Sequence, residues 1–417
     1  MASTQEIQQK FLNYFRKNDY KFMKPCKVYN DDPSLFFVNS GMCQLKDVFL
    51  GHKGFDHTKI MNYQQCIRAG GKHNDIDEVG SDSYHLTCFT MLGNWTLGHI
   101  DKNLSIDLAY KFLIDECGLN PQNMYVTFFE GNGEIETDNE TKESWLRYFP
   151  SDKVIASNFK DNFWTMGNEG PCGPCTEIHY DIIGNRDASK LVNQSDPTVI
   201  EIWNLVFIQY NLMCNKFVSL EKQYLDTGLG LERISMVIQN KNSVYQTDSF
   251  KYLFGYAQTL TNSDFYTDKF DNNKDKAYRI FVDHIRTIVI SLYHNADFDC
   301  NKRGFILRKI FRRLLTNMYI HLNNYTIEQK FNNPIIACLI TQILNFWLEY
   351  KHDSSIIHQK LIAEEKLYLG KISSMDKKYK KYLKKYKDID IVIKKLKEEC
   401  GIDYELIDNM DKLKFVH

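Results

Sequence analysis

Glycine and proline nearly vanish from the second part of this chain. Seventeen of its 21 glycines and seven of its eight prolines precede residue 250. The remainder, nearly without breakers, reads as helical. No apolar run approaches the ~20 residues of a membrane span, so no membrane role is expected. Met1-Ala2-Ser3-Thr4-Gln5-Glu6 has neither the apolar core nor the arginine-rich face of a targeting leader. The eleven cysteines are odd in number and follow no framework spacing, which fits a reducing compartment. A cytoplasmic location is the resulting expectation. A net charge of −1 excludes a globally basic nucleic-acid binder but leaves room for a local basic face. At 417 residues, two or three domains are expected.

What is present is organised around Leu225-Asp226-Thr227-Gly228-Leu229-Gly230-Leu231-Glu232-Arg233. It reads as a strand end, two glycines flanking a leucine, then a helix start. Glycines there let a ligand approach the backbone. Asp226 offers a carboxylate to a cation such as an α-ammonium group. Arg233 offers a planar fork of donors suited to phosphate oxygens. The stretch fits a site that grips an amino acid at one end and a polyphosphate at the other, and equally a glycine turn beside a surface ion pair.

Earlier in the chain, Ser3 and Glu6 form a capping box for a first helix with Ile7, Phe11, Leu12 and Phe15 on its apolar face. Leu35 to Val38 reads as a short apolar strand. A strand carrying Arg68 leads into a Gly70-Gly71 loop with Lys72 and His73, and the chain returns through Tyr84 to Trp95 as a long antiparallel hairpin. Arg68 could hold an α-phosphate there, and His85 a phosphate or purine. Neither His73 nor His85 has a partner at ligand spacing, so no zinc is expected. Cys172-Gly173-Pro174-Cys175 has the spacing of a redox dithiol, but that chemistry needs a helix start after a buried parallel strand. Gly170-Pro171 precedes the pair and Thr176 to Tyr180 alternates like a strand, so a rigid loop wall is expected instead. In the strand Ile200 to Ile208, alternation puts Ile202, Asn204 and Val206 on one face and Trp203, Leu205 and Phe207 on the other. An asparagine between two aliphatics must find a partner, from a ligand or from a core network.

Taken together, Asp32-Pro33-Ser34-Leu35-Phe36 with Asn39-Ser40-Gly41-Met42, Arg68-Ala69-Gly70-Gly71-Lys72-His73-Asn74-Asp75, Met91-Leu92-Gly93-Asn94, Gly170 to Cys175, Ile202-Trp203-Asn204 and Asp226 to Arg233 resemble, in this order, the alanyl-tRNA synthetases. The resemblance covers roughly residues 1 to 320. It implies a class II synthetase fold of the α+β class, an antiparallel sheet flanked by helices and followed by an all-helical domain. The division expected is 1–248 for adenylate formation and 249–417 for the tRNA acceptor stem. It implies activation of L-alanine by ATP, with Mg²⁺ on the phosphates, and transfer to the 3′ end of tRNA(Ala). Arg68 would hold the α-phosphate and Arg233 the γ-phosphate. Lys72 sits where the family has a lysine linked to adenylate formation and tRNA. His85, Trp164, Ile202, Trp203, Asn204 and Gly230 would line the ATP site. Trp164, Asn204, Val206, Asp226 and Gly228 would hold alanine, with Asp226 on the α-ammonium group. Thr90 and Cys88 depart from the family's usual glutamate and phenylalanine.

Val282-Asp283-His284-Ile285-Arg286 and Arg303-Gly304-Phe305-Ile306-Leu307-Arg308 continue the resemblance. Arg308, Lys309, Arg312 and Arg313 fall on one basic stripe of a helix, which fits a phosphate-tracking face. With Lys302 and Arg303, the arginines of this stripe are the candidate tRNA contacts. Lys302 stands where the family has an asparagine that reads the acceptor stem. Lys377 to Lys387 holds seven lysines with Tyr379, Tyr382 and Tyr386 at helical spacing, either an amphipathic helix or a further tRNA contact. The resemblance runs out before the family's editing and oligomerisation domains. Activation of glycine and serine without clearance in cis, and a monomer, are therefore expected. Two other readings are an adenylate-forming paralogue and an inactive tRNA-binding module. The basic stripe opposes the first; intact Arg68, Asn204, Asp226 and Arg233 oppose the second.

Overall fold

The structure is a computed structural model that describes residues 1–29, 35–70, 74–167, 169–322, 334–348, 354–386, 388–400 and 404–408. Lys72, His73, Asp32, Pro33, Ser34 and Lys387 lie outside the described residues. The chain divides into two units. One comprises Met1–Asn74 and Phe89–Ser249, the other Asp75–Cys88 and Phe250–His417. The expected division near 248 therefore omits an excursion, residues 75–88, that groups with the second unit.

The first unit carries one nine-stranded sheet. Its strands are β1 (Lys21–Phe22), β2 (Lys59–Ile67), β3 (Cys88–Leu97), β4 (Met124–Phe129), β5 (Val154–Ser157), β6 (Phe163–Thr165), β7 (Gly170–Asp181), β8 (Val199–Met213) and β9 (Lys216–Gly230). The order is β1-β2-β3-β9-β8-β7-β4-β5, with β6 on β7. The β3–β9, β9–β8, β8–β7 and β7–β4 pairs are antiparallel, whereas β1–β2 and β4–β5 are parallel, so the sheet is mixed at its edges. The helix Thr4–Lys17 has its capping box, Ser3 with Glu6, and buries Ile7, Phe11, Leu12 and Phe15. Trp203 packs on that helix, its ring 6.0 Å from Phe11 and 6.3 Å from Phe15, and 5.7 Å from Phe112. The opposite face of β8 sends Val206 and Ile208 into a cluster with Met42, Leu45, Trp95, Met166 and Cys175. The alternation read for this strand is thus observed.

Two local expectations fail. Residues 35–38 form no strand. Phe37 and Val38 are buried, but the segment bends, and Val38 alone links Val28 and Ile67 through its amide and carbonyl. The Cys172-to-Cys175 segment is part of β7, not a loop. Its register against β8 shifts between Cys172 and Cys175, and a Cβ on Gly173 would overlap the Phe207 carbonyl oxygen. Both cysteines are fully buried and not joined in a disulfide, and burial pushes the Cys175 thiol well above its ordinary pKa. A redox role needs an accessible, low-pKa thiol, so this pair is structural. Gly173→Ala is expected to cost about 1–3 kcal/mol, because β7 and β8 must separate locally. A thermal midpoint equal to that of the unaltered protein would show that the strands yield freely.

The second unit is helical apart from its excursion. Its helices include Asn273–Tyr293, Lys302–His321, Pro334–Trp347, Ser355–Tyr386 and Ile389–Cys400. The 302–321 helix buries Ile306, Ile310 and Leu314 as its spacing implies. Tyr319 donates to Glu365 at 2.7 Å and Thr316 lies 2.7 Å from the Tyr368 hydroxyl, joining it to the 355–386 helix. Lys377, Lys378, Lys380, Lys381, Lys384 and Lys385 are exposed and Tyr379, Tyr382 and Tyr386 half-buried, the amphipathic pattern. No helix among the described residues is long and apolar enough to cross a membrane.

Candidate active site

The register of the sheet assembles the site. Trp95 on β3 pairs with Asp226 on β9, Asp226 with Val206 on β8, and Val206 with Cys175 on β7. Two residues along, Gly93, Gly228, Asn204 and Glu177 form a second cross-strand row. Because side chains alternate with period two, both rows face the same side of the sheet. The glycines keep this face low. A Cβ on Gly228 would lie 2.8 Å from Met91 Sδ, and one on Gly93 would overlap the Trp95 ring, which lies across it.

Asp226 is only 5% exposed. Its one hydrogen-bond donor among the described residues is Trp95 Nε1, at 2.5 Å. Burial pushes its pKa up to about 7, and the Trp95 bond only partly opposes this. A buried carboxylate without a cation costs several kcal/mol, which an incoming ammonium group would offset. Asn204 Oδ1 in the adjoining row is buried with no hydrogen-bond partner among the described residues, an acceptor that an N–H donor would satisfy. Beside these two groups lies the apolar cluster of Val206, Trp95, Met42, Met166 and Cys175, with Trp164 packed against it. Trp164 comes from β6, opposite Gly173.

Cationic groups gather further along the same sheet. Arg233, in the helix Leu231–Ile238 that follows Gly230 directly, donates to the Glu201 carbonyl at 2.9 Å and to its carboxylate at 3.0 Å. Burial raises the Glu201 pKa, but Arg233, His179 and Arg68 outweigh it and hold the carboxyl below its ordinary value. Glu177 shifts the opposite way. Burial and the Glu201 charge raise it against the bonds from His179 at 3.2 Å and Asn193 at 2.9 Å. Arg68 follows the end of β2, lies over the Phe89 ring at 5.0 Å and donates to the Asn39 carbonyl at 3.4 Å. Thr90 receives its place from Glu232, whose carboxylate accepts the Thr90 amide at 3.0 and 3.1 Å.

The Trp203 ring points into the helix-side core, so only its main chain can meet a ligand bound opposite. His85 belongs to the excursion, where its Nδ1 is held by the Asp82 carboxylate. On the 302–321 helix, Lys309 of the basic stripe is exposed, while its three arginines are engaged within their own unit. Arg308 Nε lies 2.8 Å from Glu364 Oε1, and Arg312 donates to the same oxygen at 2.9 and 3.2 Å. Arg313 bonds His284 Nε2 at 3.0 Å and the Val79 carbonyl at 3.1 Å. Helical spacing gave these arginines a common side but could not name the acids and carbonyls waiting there. Lys302 is exposed at the helix start, with Arg303 half-buried beside it. The reading of the sequence missed Trp95, whose only signal was its place two residues after Gly93.

Residues 6–414 match the family model of class II (A) tRNA synthetases. The chain belongs to that family. Among its curated relatives, the mitochondrial alanine–tRNA ligase of Saccharomyces cerevisiae is 39% identical over 90% of this chain and 40% of its own length. The cytoplasmic alanine–tRNA ligase of Dictyostelium discoideum is 39% identical over 91% of this chain and 41% of its own. The alanine–tRNA ligase of Porphyromonas gingivalis is 37% identical over 88% and 42%. The chain therefore spans about two fifths of the length of these relatives. As a class II family member it is expected to use ATP. The described residues include no cluster of three or more His, Cys, Asp or Glu suited to a metal ion. Magnesium accompanying ATP, which binds chiefly through phosphates and water, needs no such cage.

Proposed function

We propose that this chain is an alanine–tRNA ligase, activating L-alanine with ATP and transferring it to the 3′ end of tRNA(Ala). The observation that carries the reading is the buried Asp226 carboxylate beside the unpartnered Asn204 Oδ1. The α-ammonium group sits on Asp226 and Asn204, and the methyl group against Val206 and Trp164. Gly228 and Gly230 leave room for the ligand over β9. Arg68 takes the α-phosphate and Arg233 the γ-phosphate. Ile202 and Trp203 meet ATP through their main chain, and His85 contributes from its loop. Lys72 is assigned to adenylate formation by its position in the sequence.

The alanine carboxylate attacks the α-phosphorus in line, the bond to the β-phosphate oxygen breaks, and pyrophosphate leaves. Such a step needs orientation and neutralisation of charge, not a protein nucleophile. Mg²⁺ entering with ATP would supply further charge neutralisation at the phosphates. Lys302 and Arg303 approach the acceptor stem. The chain works as a monomer in the cytoplasm.

The test is alanine-dependent ATP–pyrophosphate exchange, followed by charging of acceptor-stem minihelices. Exchange with alanine, weaker exchange with glycine and serine, and charging of a stem are expected. One methyl is worth only ~1–3 kcal/mol and a hydroxyl is poorly rejected by an apolar wall. Exchange without charging of any stem points to the paralogue, and stem binding without exchange to the inactive module.

A further inference from the structure

The excursion 75–88 is tied to the helices of its own unit by a closed ring of polar groups, buried at Thr87, Asp283 and His284 and half-buried at Arg313. The Thr87 amide donates to Asp283 Oδ1 at 3.0 Å, and its hydroxyl bonds Asp283 Oδ2. His284 Nδ1 bonds the same carboxylate at 2.8 Å, and His284 Nε2 faces an Arg313 nitrogen at 3.0 Å. Arg313 then returns to the excursion at the Val79 carbonyl. With Arg313 donating, His284 must accept at Nε2 and donate at Nδ1, which fixes a neutral tautomer. Thr87, Asp283 and His284 have no exposed surface. Arg279 adds a bond to the Gly80 carbonyl at 2.9 Å. Gly80 has φ +88°, and a Cβ there would lie 2.7 Å from Ile280 Cγ1.

This ring ends two residues before Phe89, the residue whose ring carries the Arg68 guanidinium. We propose that Arg313, His284 and Asp283 are positioning residues for Arg68, acting through Thr87 and the first turn of chain into β3, and that Arg313 is not a tRNA contact. Burying a charged network is costly unless fully satisfied. This one spends its bonds on both ends of a loop that enters the strand bearing Phe89. The inference rests on the proposed assignment of Arg68 to the α-phosphate.

The test uses the full chain with Arg313→Ala, Asp283→Asn and the shape-conserving Thr87→Val, with Thr87→Ser as the rescue. Pyrophosphate exchange without tRNA is expected to show the KM for ATP raised about tenfold or more in the first three, with the KM for alanine within about twofold. Thr87→Ser should stay near the unaltered protein. Amide hydrogen exchange at Thr87 and Phe89 should speed up in the same three variants. Unaltered exchange kinetics in Arg313→Ala with a raised KM for the acceptor stem would overturn the proposal and return Arg313 to tRNA. A loss of kcat with both KM values unchanged, matching a loss of folded protein, would reduce the ring to a purely structural one. If the unaltered protein shows no exchange with alanine, the proposed function fails. Unchanged amide exchange at Phe89 in the variants would separately overturn the linkage.

Discussion

Asp226→Ala is expected to lower alanine-dependent pyrophosphate exchange by about 10²–10⁴-fold, chiefly through the KM for alanine. The magnitude is that of removing one partner from a buried ion pair, because the ammonium group would then sit on an apolar floor. The same residue sets a pH dependence. With its pKa raised to about 7 by burial, Asp226 is protonated in most molecules at pH 6, before alanine binds. Binding the ammonium group requires the carboxylate, so a proton must leave. The apparent KM for alanine should therefore rise as pH falls below about 7, by up to about tenfold per unit, and flatten above it. Asp226→Asn keeps an acceptor for Trp95 Nε1 but carries no charge, and should lose this dependence along with most of the affinity. A KM for alanine that ignores both substitution and pH would remove Asp226 from the site.

The parts of this molecule written in local sequence were legible there. The Ser3–Glu6 cap, the two faces of β8 and the strand-to-helix junction at Gly230 each depend on residues a few positions apart. Features set by distant partners were not. Leu35 to Val38 has a strand's composition, but pairing is decided by neighbours, and the segment bends instead of joining the sheet. Gly170-Pro171 argued for a loop, yet Pro171 pairs with Asn211 inside the strand, and the register shift of β7 falls beyond it, between Cys172 and Cys175. The arginines of the 302–321 helix shared a face in sequence, while Glu364, 52 residues from Arg312, and the Val79 carbonyl, 234 residues from Arg313, decide what that face does. Asn204 is the instructive intermediate. Alternation alone said its amide needed a partner, and among the described residues Oδ1 has none at the point where Asp226 also has no cation. Trp95 was hidden because a buried indole beside glycines is ordinary, and only the register against Asp226 gives it work.

Arg233→Ala should act at the other end of the same site. Removing one preorganised donor from the departing pyrophosphate, where charge builds up, should cost about 10²–10³ in rate. Here the loss should appear in kcat and in the KM for ATP, with the KM for alanine within about threefold. Arg233 is held at two points, the Glu201 carbonyl and carboxylate, so its guanidinium is aimed before ATP arrives. Arg233→Lys restores the charge but not the planar fork, and should recover only part of the rate. The pair of substitutions then separates the ends of the site, because Asp226→Ala spoils alanine affinity while Arg233→Ala spoils phosphate handling. If Arg233→Ala raised the KM for alanine as far as Asp226→Ala does, the amino-acid end and the phosphate end would not be distinct, and the assignment of ligand direction along β9 would be wrong.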